Sequence, residues 1–366
     1  MKIIFCGGGT AGHVSPAIAI AKYIQKSYKD TLILFVGRDG GEENQAVTDA
    51  GFELKTIKIS GLERKINLKN LKNIFKAIRS LKESRKIIKD FSPDIVIGTG
   101  GYVTWPIIHS ANQMKIPTAI HESNACPGLV TKILAPSCNR VFLNMRGSEL
   151  AFKRQDNIVI SGNPVREEFK TETRESARKK LGIDKKDFLI SSFGGSGGSE
   201  KINSVITDVM QNYSRKHRGI KHIHSSGKKY FNGIKTNYPS LVKEKDGCMI
   251  VPYVKDMPTV ICASDIVISR CGAMTISEIS AAGAASILIP SPNVTNNHQL
   301  KNARLIADAD AALMIEEKDL DSKSLISLID ELRTDYKKRK TLSKKIKMFH
   351  IENAENIIAD EILKLI

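Results

Sequence analysis

The chain has 366 residues, of which 41% are hydrophobic and 26% charged, and its formal net charge is +17. This composition excludes disordered and collagen-like chains, and no apolar run approaches the ~20 residues that a membrane-spanning helix needs. The length accommodates two ordinary domains, each with its own core. Only residues 3–6 are apolar before the first glycines, so we expect no secretory signal. The six cysteines show no paired spacing and are expected to be buried thiols in a reducing compartment.

Strands alternate with helices through the first half of the chain. The predicted strands are residues 2–6, 31–36, 94–98, 118–121, 140–143 and 158–161. This alternation is typical of a parallel sheet with helices on both faces. A turn-rich segment, residues 162–166, follows and is the predicted joint between two domains.

A basic amphipathic helix is predicted between residues 68 and 90, where apolar residues recur at helical spacing with lysines and arginines between them. Its apolar face either packs into the core or borders a surface that rests on anionic lipid. Aromatic residues do not alternate with the basic ones, as they do in grooves for single-stranded nucleic acid. We therefore expect no nucleic-acid partner, although a basic balance alone would allow one.

The second half repeats the alternation of strands and helices. Its predicted strands are residues 188–192, 219–225, 248–251, 265–269 and 285–290. The last stretch, from about residue 345 to residue 366, is predicted as a helix that packs back on the first domain. The predicted domains are therefore residues 1–162 with that helix, and residues 163–344.

A glycine loop follows the first strand of each half: GGGTAGH at residues 7–13 and GGSGGS at residues 194–199. Backbone N–H groups at the start of a helix can approach a phosphate closely when glycines leave them bare. His13 in the first loop is a candidate general base near neutral pH, or it merely caps the helix.

Three further polar clusters end predicted strands. Residues 98–102 form either a tight turn or a second anion cradle, and residues 121–124 are either solvated or functional. In the third cluster Thr275 and Glu278 match a capping box, yet Glu278 could instead bind the hydroxyls of a ribose. Two Asp-x-Asp pairs, at 308–310 and 319–321, are interpreted as surface carboxylates, and no other cluster has metal-ligand spacing.

Seven motifs occur in order along the chain: GGTAGH at 8–13, GTGGY at 98–102, HESN at 121–124, GNPVR at 162–166, GGSGG at 194–198, SGK at 226–228 and RCGAMTISE at 270–278. In order and spacing they resemble the MurG family, the bacterial N-acetylglucosaminyltransferases that make lipid II from lipid I. The resemblance covers essentially the whole chain. It implies an α/β fold of GT-B architecture, with two Rossmann-like doubly wound parallel-sheet domains flanking a cleft.

The resemblance also implies where the substrates bind. UDP-GlcNAc would lie on the C-terminal domain, and the N-terminal domain would accept lipid I, the undecaprenyl-diphosphate-linked MurNAc-pentapeptide. The implied donor residues are Arg166, Gly195, Ser196 and Gly197 at the diphosphate, Ala273, Met274, Thr275 and Glu278 along the nucleotide, Val254 at the uracil, Gln299 at the sugar, and Thr10, Ala11, Gly12 and Asn124 approaching the sugar from the other domain. The implied acceptor-diphosphate residues are Gly9, Gly12, Gly100, Gly101 and Tyr102.

The implied reaction is an in-line displacement with inversion, in which the C4 hydroxyl of MurNAc attacks C1 of GlcNAc as UDP leaves. His13 is the expected base, with Glu122 in reserve. Backbone amides of residues 195–198, the following helix dipole and Arg166 would stabilise the departing diphosphate, so neither a metal nor another cofactor is expected. The alternatives within the fold are a diacylglycerol glycosyltransferase and a UDP-GlcNAc 2-epimerase.

The chain departs from the family pattern at three places. His298 stands where the first of two adjacent glutamines is usual, Gly197 replaces a glutamine, and the family's HQSGK becomes HSSGK at residues 224–228. His298 bears on donor specificity.

A lipid-linked acceptor gives the positive charge a use. The expected partner is an anionic membrane surface, contacted through residues 68–90 and Trp105, and the expected location is peripheral, on the cytoplasmic face of the inner membrane.

Overall fold

The computed structural model of the chain describes residues 1–8, 11–41, 44–59, 68–243 and 247–366, with side chains described for all of these except 11 and 68–78. It divides into two compact units. Unit 1 comprises Met1–Pro164 and Ile351–Ile366, and unit 2 comprises Val165–His350. These boundaries lie a few residues beyond the predicted ones at 162 and 344.

Unit 1 is built on a seven-stranded, wholly parallel sheet in the order β3-β2-β1-β4-β5-β6-β7. With all elements numbered in chain order, its strands are β1 Lys2–Cys6, β2 Leu32–Arg38, β3 Glu53–Ile57, β4 Ile95–Gly98, β5 Thr118–Glu122, β6 Arg140–Leu143 and β7 Ile158–Ile160. Its α-helices are α1 Ala11–Ser27, α2 Asn44–Asp49, α3 Leu68–Phe91, α4 Thr104–Gln113, α5 Leu129–Leu134 and α16 Ala354–Leu363, with 3-10 turns at Ala135–Ser137 and Ser148–Ala151.

The sheet of unit 1 is covered on both faces because its central strands are apolar on both sides. Ile3 and Phe5 of β1 pack into one buried cluster with residues of α1 and α16. The alternate residues Ile4 and Cys6 pack into a second cluster, which contains Ile88 of α3. Continuous apolar strands of this kind are typical of parallel sheets with helices on both faces.

Unit 2 has a six-stranded parallel sheet in the order β10-β9-β8-β11-β12-β13. Its strands are β8 Phe188–Phe193, β9 Ile220–Ser225, β10 Cys248–Val251, β11 Ile266–Ser269, β12 Ser286–Leu288 and β13 Leu313–Met314. Its α-helices are α6 Glu168–Thr171, α7 Arg174–Lys180, α8 Glu200–Asn212, α9 Lys228–Asn237, α10 Pro239–Val242, α11 Met257–Ala263, α12 Ala273–Ala282, α13 His298–Asp308, α14 Ser322–Thr334 and α15 Tyr336–Lys347, with 3-10 turns at Ser214–Lys216, Thr295–Asn297 and Glu317–Asp319.

The predicted C-terminal helix packs back on unit 1 as expected, but it is shorter than the predicted 345–366, because the segment is two helices and only α16 belongs to unit 1. The segment between α15 and α16 includes Asn353, which adopts a left-handed conformation with φ 56°. Helix α15 stays with unit 2, where Leu342 joins the core. Helix α16 packs on unit 1 through Ile358 and Ile362 and through an ion pair of 2.9 Å between Arg140 and Glu361.

All six cysteines are free thiols, and five are buried as predicted; the prediction is wrong for Cys126, which is exposed. None of the helices in the described ranges is long and apolar enough to cross a membrane.

Candidate active site

The six strands of unit 2 repeat the order of the first six strands of unit 1. Each sheet therefore has two neighbouring strands from which the chain winds in opposite directions. In unit 1 these strands are β1 and β4, and in unit 2 they are β8 and β11. Ligands of open parallel sheets bind beyond the carboxyl ends of such strands. Both predicted glycine loops, after β1 and after β8, lie at these points.

The loops after β1 and β4 are in backbone contact. The Gly8 N–H donates to the Gly100 carbonyl oxygen at 3.2 Å. Gly101 has φ +82°, and a Cβ built on it would lie 1.9 Å from the Gly8 carbonyl oxygen. Thr104 anchors the second loop because its hydroxyl accepts from the Gly100 N–H at 3.1 Å. Only glycine fits at position 101, because any Cβ there would collide with the backbone of Gly8. The two loops therefore pack directly against each other through their backbones.

His13 lies on the first turn of α1, half-buried beside these loops. Its Nδ1 is 3.0 Å from the Gly8 carbonyl oxygen. A carbonyl oxygen can only accept, so Nδ1 carries the proton and Nε2 holds the lone pair of the neutral ring. Nε2 is also the nitrogen that approaches Gly100.

The structure describes only some of the other residues predicted for these two loops. Gly9 and Thr10 lie outside the described residues, and of Ala11 only the backbone is described. Gly12 is exposed at the start of α1. Tyr102, after the second loop, is also exposed, at 47%.

Glu122 ends β5 and is buried, with 5% exposure. One carboxylate oxygen accepts from the backbone and side-chain N–H groups of Asn124, each at 3.1 Å. The other accepts from the Gly128 N–H at 2.9 Å and the Thr131 hydroxyl at 2.7 Å. The carboxylate therefore organises the loop that carries Asn124, which is half-buried.

His121, the residue before Glu122, is fully buried. Its Nε2 lies 3.2 Å from the Gly162 carbonyl oxygen, to which it donates. Burial lowers the pKa of the His121 imidazole to about 4. The ring is therefore neutral at physiological pH, and its second nitrogen, Nδ1, meets no hydrogen-bond partner among the described residues.

The glycine loop of unit 2 closes on itself and on the turn after β9. The Gly198 N–H donates to the Gly195 carbonyl oxygen at 3.0 Å, and both residues have positive φ. Ser199 caps α8 by accepting from the Ile202 N–H at 3.4 Å. Ser196 and Gly197 lie exposed at the tip of the loop. This arrangement is suited to an anion at the N-terminus of α8.

A pocket of about 630 Å³ opens beside this loop; its lining includes Gly194, Gly198, Tyr230, Arg270, Gln299 and Glu317. Arg270 is buried and donates to the Ser199 hydroxyl at 2.7 Å and to Glu317. The Gln299 side-chain oxygen accepts from the N–H groups of Cys271 and Ser291 at 3.2 and 3.0 Å. The strand ends are thus tied together around the pocket.

Arg270 and Glu317 were not predicted as site residues. Arg270 stands directly after β11 and opens the RCGAMTISE motif, which is a usable signal in the sequence. Glu317 comes to the pocket only through the fold, and nothing in its sequence surroundings marks it.

Arg166 and Glu278 form an ion pair. Two nitrogens of the Arg166 guanidinium reach Glu278 Oε1, at 2.9 Å from Nε and 2.8 Å from the terminal nitrogen. Burial raises the pKa of the Glu278 carboxyl, and Arg166 partly offsets this. The predicted capping box is absent, since α12 begins at Ala273 after Gly272 and no side chain caps it. Glu278 is therefore on the second turn, not the first.

The other predicted donor residues also follow strand ends of unit 2. Val254 is half-buried in the loop after β10, and Ala273, Met274 and Thr275 form the first turn of α12 after β11. His298 begins α13, and its Nδ1 donates to the Thr295 carbonyl oxygen at 2.8 Å. The substituted histidine thus makes a local contact that shapes the start of the helix.

Among the described residues, no group of three or more His, Cys, Asp or Glu side chains could hold a metal ion. Of the Asp-x-Asp residues, Asp321 caps α14, and Asp310 is exposed and pairs with Lys345.

Comparison with known proteins adds to this geometry. The glycosyltransferase family 28 N-terminal domain matches residues 3–143, and the family's C-terminal domain matches residues 189–359. The chain belongs to glycosyltransferase family 28. A family member from Acetivibrio thermocellus is 43% identical over 364 residues, covering 100% of this chain and 98% of the relative. It is named UDP-N-acetylglucosamine--N-acetylmuramyl-(pentapeptide) pyrophosphoryl-undecaprenol N-acetylglucosamine transferase. The resemblance drawn from the motifs is thereby confirmed.

Two solved structures compare with this family 28 chain over its whole length. MurG from Acinetobacter baumannii has a TM-score of 0.78 at 24% identity, covering 99% of each chain. A UDP-GlcNAc 2-epimerase from Neisseria meningitidis bound to UDP-GlcNAc has a TM-score of 0.66 at 14% identity, covering 100% of each. These likenesses concern the fold, and they confirm the predicted pair of Rossmann-like units.

Proposed function

We infer that this chain is the glycosyltransferase that moves GlcNAc from UDP-GlcNAc to the C4 hydroxyl of MurNAc in undecaprenyl-diphosphate-linked MurNAc-pentapeptide. The observation that carries this is a 43% identical relative of that name, matched over 100% of this chain. Both family 28 domains are present as well. The chain is therefore an enzyme of peptidoglycan synthesis.

Unit 2 is the proposed donor site. Backbone N–H groups of the loop Gly195–Ser196–Gly197 and the N-terminus of α8 would receive the diphosphate, since both direct positive charge at an anion. The residues proposed for the rest of the donor are Val254 at the uracil, Ala273, Met274, Thr275 and Glu278 along the nucleotide, and Gln299 at the sugar.

The Arg166–Glu278 ion pair sets a condition on this proposal. Arg166 is 40% exposed and Glu278 17%. Glu278 reaches a ribose and Arg166 a diphosphate together only if the pair loosens when the donor binds. Replacing one strong charge-assisted contact by two contacts to the donor would offset that loss.

Unit 1 is the proposed acceptor side. Gly9, Gly12, Gly100, Gly101 and Tyr102 would meet the acceptor diphosphate. Thr10, Ala11, Gly12 and Asn124 are the residues proposed to approach the donor sugar.

His13 is the proposed general base, acting through Nε2, because Nδ1 is committed to the Gly8 carbonyl oxygen. Glu122 is a weaker candidate, since its two oxygens already accept four hydrogen bonds. As the hydroxyl oxygen attacks C1, its proton passes to Nε2 and the C1–O bond to UDP breaks. The loop amides, the α8 dipole and Arg166 would take the charge of the departing diphosphate, with no metal or other cofactor proposed.

The first experiment is transfer of labelled GlcNAc from UDP-GlcNAc to a short-chain lipid I analogue. Diacylglycerol serves as a parallel acceptor, and free UDP-GlcNAc is followed for epimerisation. We expect transfer to the lipid I analogue alone. Transfer to diacylglycerol or epimerisation of UDP-GlcNAc would refute the proposal.

The base is tested with two substitutions at one position. In His13→Asn the side-chain amide can still donate to Gly8 from the place of Nδ1, whereas the basic nitrogen is lost. We expect this variant and His13→Ala to lose about 10²–10⁴-fold in turnover while still binding UDP. If His13→Asn kept near-normal turnover, His13 would not be the base.

We further propose that unit 1 rests on anionic lipid through the basic face of α3, on the cytoplasmic side of the inner membrane. In the described part of this helix Ser80, Ser84 and Ile88 are buried, while the lysines at 82, 86 and 89 are exposed. The apolar face of this half is therefore core, and the contact would be electrostatic, worth roughly 1 kcal/mol per well-placed lysine. Lys72 and Lys76 lie outside the described side chains.

Trp105 was expected to take part in this contact. It is half-buried, packs against the core and stacks on His109 with ring centroids 5.4 Å apart. We therefore propose Trp105 as a neighbour of the lipid surface rather than its anchor.

The membrane proposal is tested by sedimentation with phosphatidylglycerol-containing vesicles. The triple variant Lys82→Glu, Lys86→Glu and Lys89→Glu should bind at least tenfold more weakly than the wild type. The matched control makes the same charge change on exposed lysines of unit 2, at Lys235, Lys323 and Lys337. If both triple variants lost the same amount of vesicle binding, net charge alone would drive binding, and α3 would not be a specific membrane-binding surface.

A further inference from the structure

A continuous chain of hydrogen bonds crosses the buried interior of unit 2. All its members are at most 4% exposed. It runs from Ser214 Oγ to His222 Nδ1 (3.0 Å), from His222 Nε2 to Ser192 Oγ (2.9 Å), from Ser192 Oγ to His224 Nδ1 (2.8 Å), from His224 Nε2 to Asn203 Oδ1 (3.0 Å), and from Asn203 Nδ2 to the Ser226 carbonyl oxygen (2.9 Å).

The last link fixes the orientation of the Asn203 amide and the proton on His224. The Ser226 carbonyl can only accept, so Asn203 presents its NH₂ group there and its Oδ1 to His224. His224 must then carry its proton on Nε2. Turning the Asn203 amide over would set its oxygen 2.9 Å from the Ser226 oxygen, with no proton between them.

The two histidines are neutral, which completes the assignment. Burial lowers the pKa of His222 to about 3 and that of His224 to about 4. His224 Nδ1 therefore accepts from the Ser192 hydroxyl, Ser192 accepts from His222 Nε2–H, and His222 Nδ1 accepts from Ser214. The 3.1 Å approach of His224 Nδ1 to the Ser192 carbonyl oxygen carries no proton in this arrangement.

The fold does not require polar side chains at these buried positions. In unit 1 the strands β1 and β2 occupy the places that β8 and β9 have in unit 2. The penultimate residue of β1, Phe5, pairs with Phe35 and stacks on it with centroids 5.3 Å apart. The penultimate residue of β8, Ser192, pairs with His224. A buried polar chain is costly unless every member is satisfied, so its presence points to a use.

The hydrogen-bond chain ends at the Ser226 carbonyl oxygen, which contacts the glycine loop of unit 2. A Cβ on Gly198 would lie 2.2 Å from the Ser226 carbonyl oxygen, the atom that Asn203 holds. A Cβ on Gly227 would lie 2.7 Å from the Gly198 Cα. The turn at residues 226–227 therefore packs against the glycine loop through backbone atoms alone.

We propose that Asn203 and His224 are positioning residues for the donor diphosphate: they hold the 226–227 turn, and the turn sets the placement of the loop amides at 195–198. This rests on the proposed donor site. Neither side chain needs to touch the ligand. Their effect is confined to the part of the donor that the loop receives, and the uracil and ribose contacts lie on other strand ends.

The test compares UDP with uridine, which lacks the diphosphate, by titration calorimetry with uridine measured in competition. Asn203→Leu should weaken UDP binding about tenfold, as the loss of one buried hydrogen bond predicts. Its uridine affinity should stay within twofold of the wild type. His224→Phe, which cannot donate to Asn203, should behave alike, while His224→Gln keeps an N–H near the Nε2 position and should restore most UDP affinity.

Ser214→Ala is the matched control, because it removes an equally buried member at the far end of the chain. It should leave UDP binding unchanged. If Asn203→Leu and His224→Phe kept wild-type UDP affinity, or lost UDP and uridine affinity equally, the positioning role would be refuted. If the wild type itself bound UDP no better than uridine, the donor site would be wrong, and this inference would fall with it.

Discussion

Acid should unfold unit 1 in a way that depends on one histidine. His121 is fully buried, and its pKa is about 4 in the folded chain against an ordinary 6.5. Between these pH values the unfolded chain binds the proton and the folded chain does not. The contribution of His121 to the free energy of unfolding is therefore fully present above pH 6.5 and is lost as pH falls toward 4. At pH 5 protonation favours the unfolded chain about 30-fold, which is about 2 kcal/mol.

The assay uses the single tryptophan of the chain. Trp105 lies in unit 1, as His121 does, so its fluorescence during urea unfolding follows that unit. His121→Gln keeps a donor for the Gly162 carbonyl oxygen but cannot titrate. Its stability should fall by about 2 kcal/mol less than that of the wild type between pH 7 and pH 5. Equal losses in the two proteins would refute the claim that burial holds His121 neutral.

Two further predictions concern unit 1, the proposed acceptor side, and the first is paired with a control substitution. Gly101→Ala would place a methyl group 1.9 Å from the Gly8 oxygen at φ +82°, and should destabilise unit 1 by about 3 kcal/mol and abolish transfer. Gly51→Ala, at φ +86° with open space around it, should cost about 1 kcal/mol and leave transfer intact; similar losses in both would contradict the steric argument. Glu122→Gln turns one acceptor oxygen into a donor and should cost about 2 kcal/mol by urea unfolding, whereas unchanged stability would show that its four donors find other partners.

The strands that sequence predicts are mostly runs of apolar residues, including the edge strands β7 (IVI) and β10 (CMIV). The eleven predicted strands are all present, from β1 to β12 with β3 excepted. The two missed strands, β3 and β13, lie at the edges of their sheets. An edge strand needs no continuous apolar run: in β3 only Ile57 is buried, and Glu53 faces solvent. Periodicity cannot separate such a segment from a loop.

The site was predictable where backbone chemistry demands a residue type, and less so where side chains meet across the sequence. Glycine loops after strands were found from sequence because few other residues permit such turns. The capping-box alternative is wrong because α12 begins at Ala273, directly after Gly272, so Thr275 lies inside the first turn and cannot be the N-cap. The bond from Arg270 to Ser199 spans 71 residues, and the His224–Asn203 contact joins a strand to a helix; neither leaves a local pattern.

The return of α16 has a consequence for how the chain is made. The core of unit 1 includes Ile358, Ala359 and Ile362, which leave the ribosome after all of unit 2. Until then the apolar side of α1 that faces α16 has no cover, although the sheet beneath it is complete. Synthesis runs at about 5–20 residues per second, so the roughly 190 residues in between take about 10–40 seconds. The N-terminal half must stay unaggregated in an unfinished state for that time, while unit 2, which is continuous in sequence, can finish folding first.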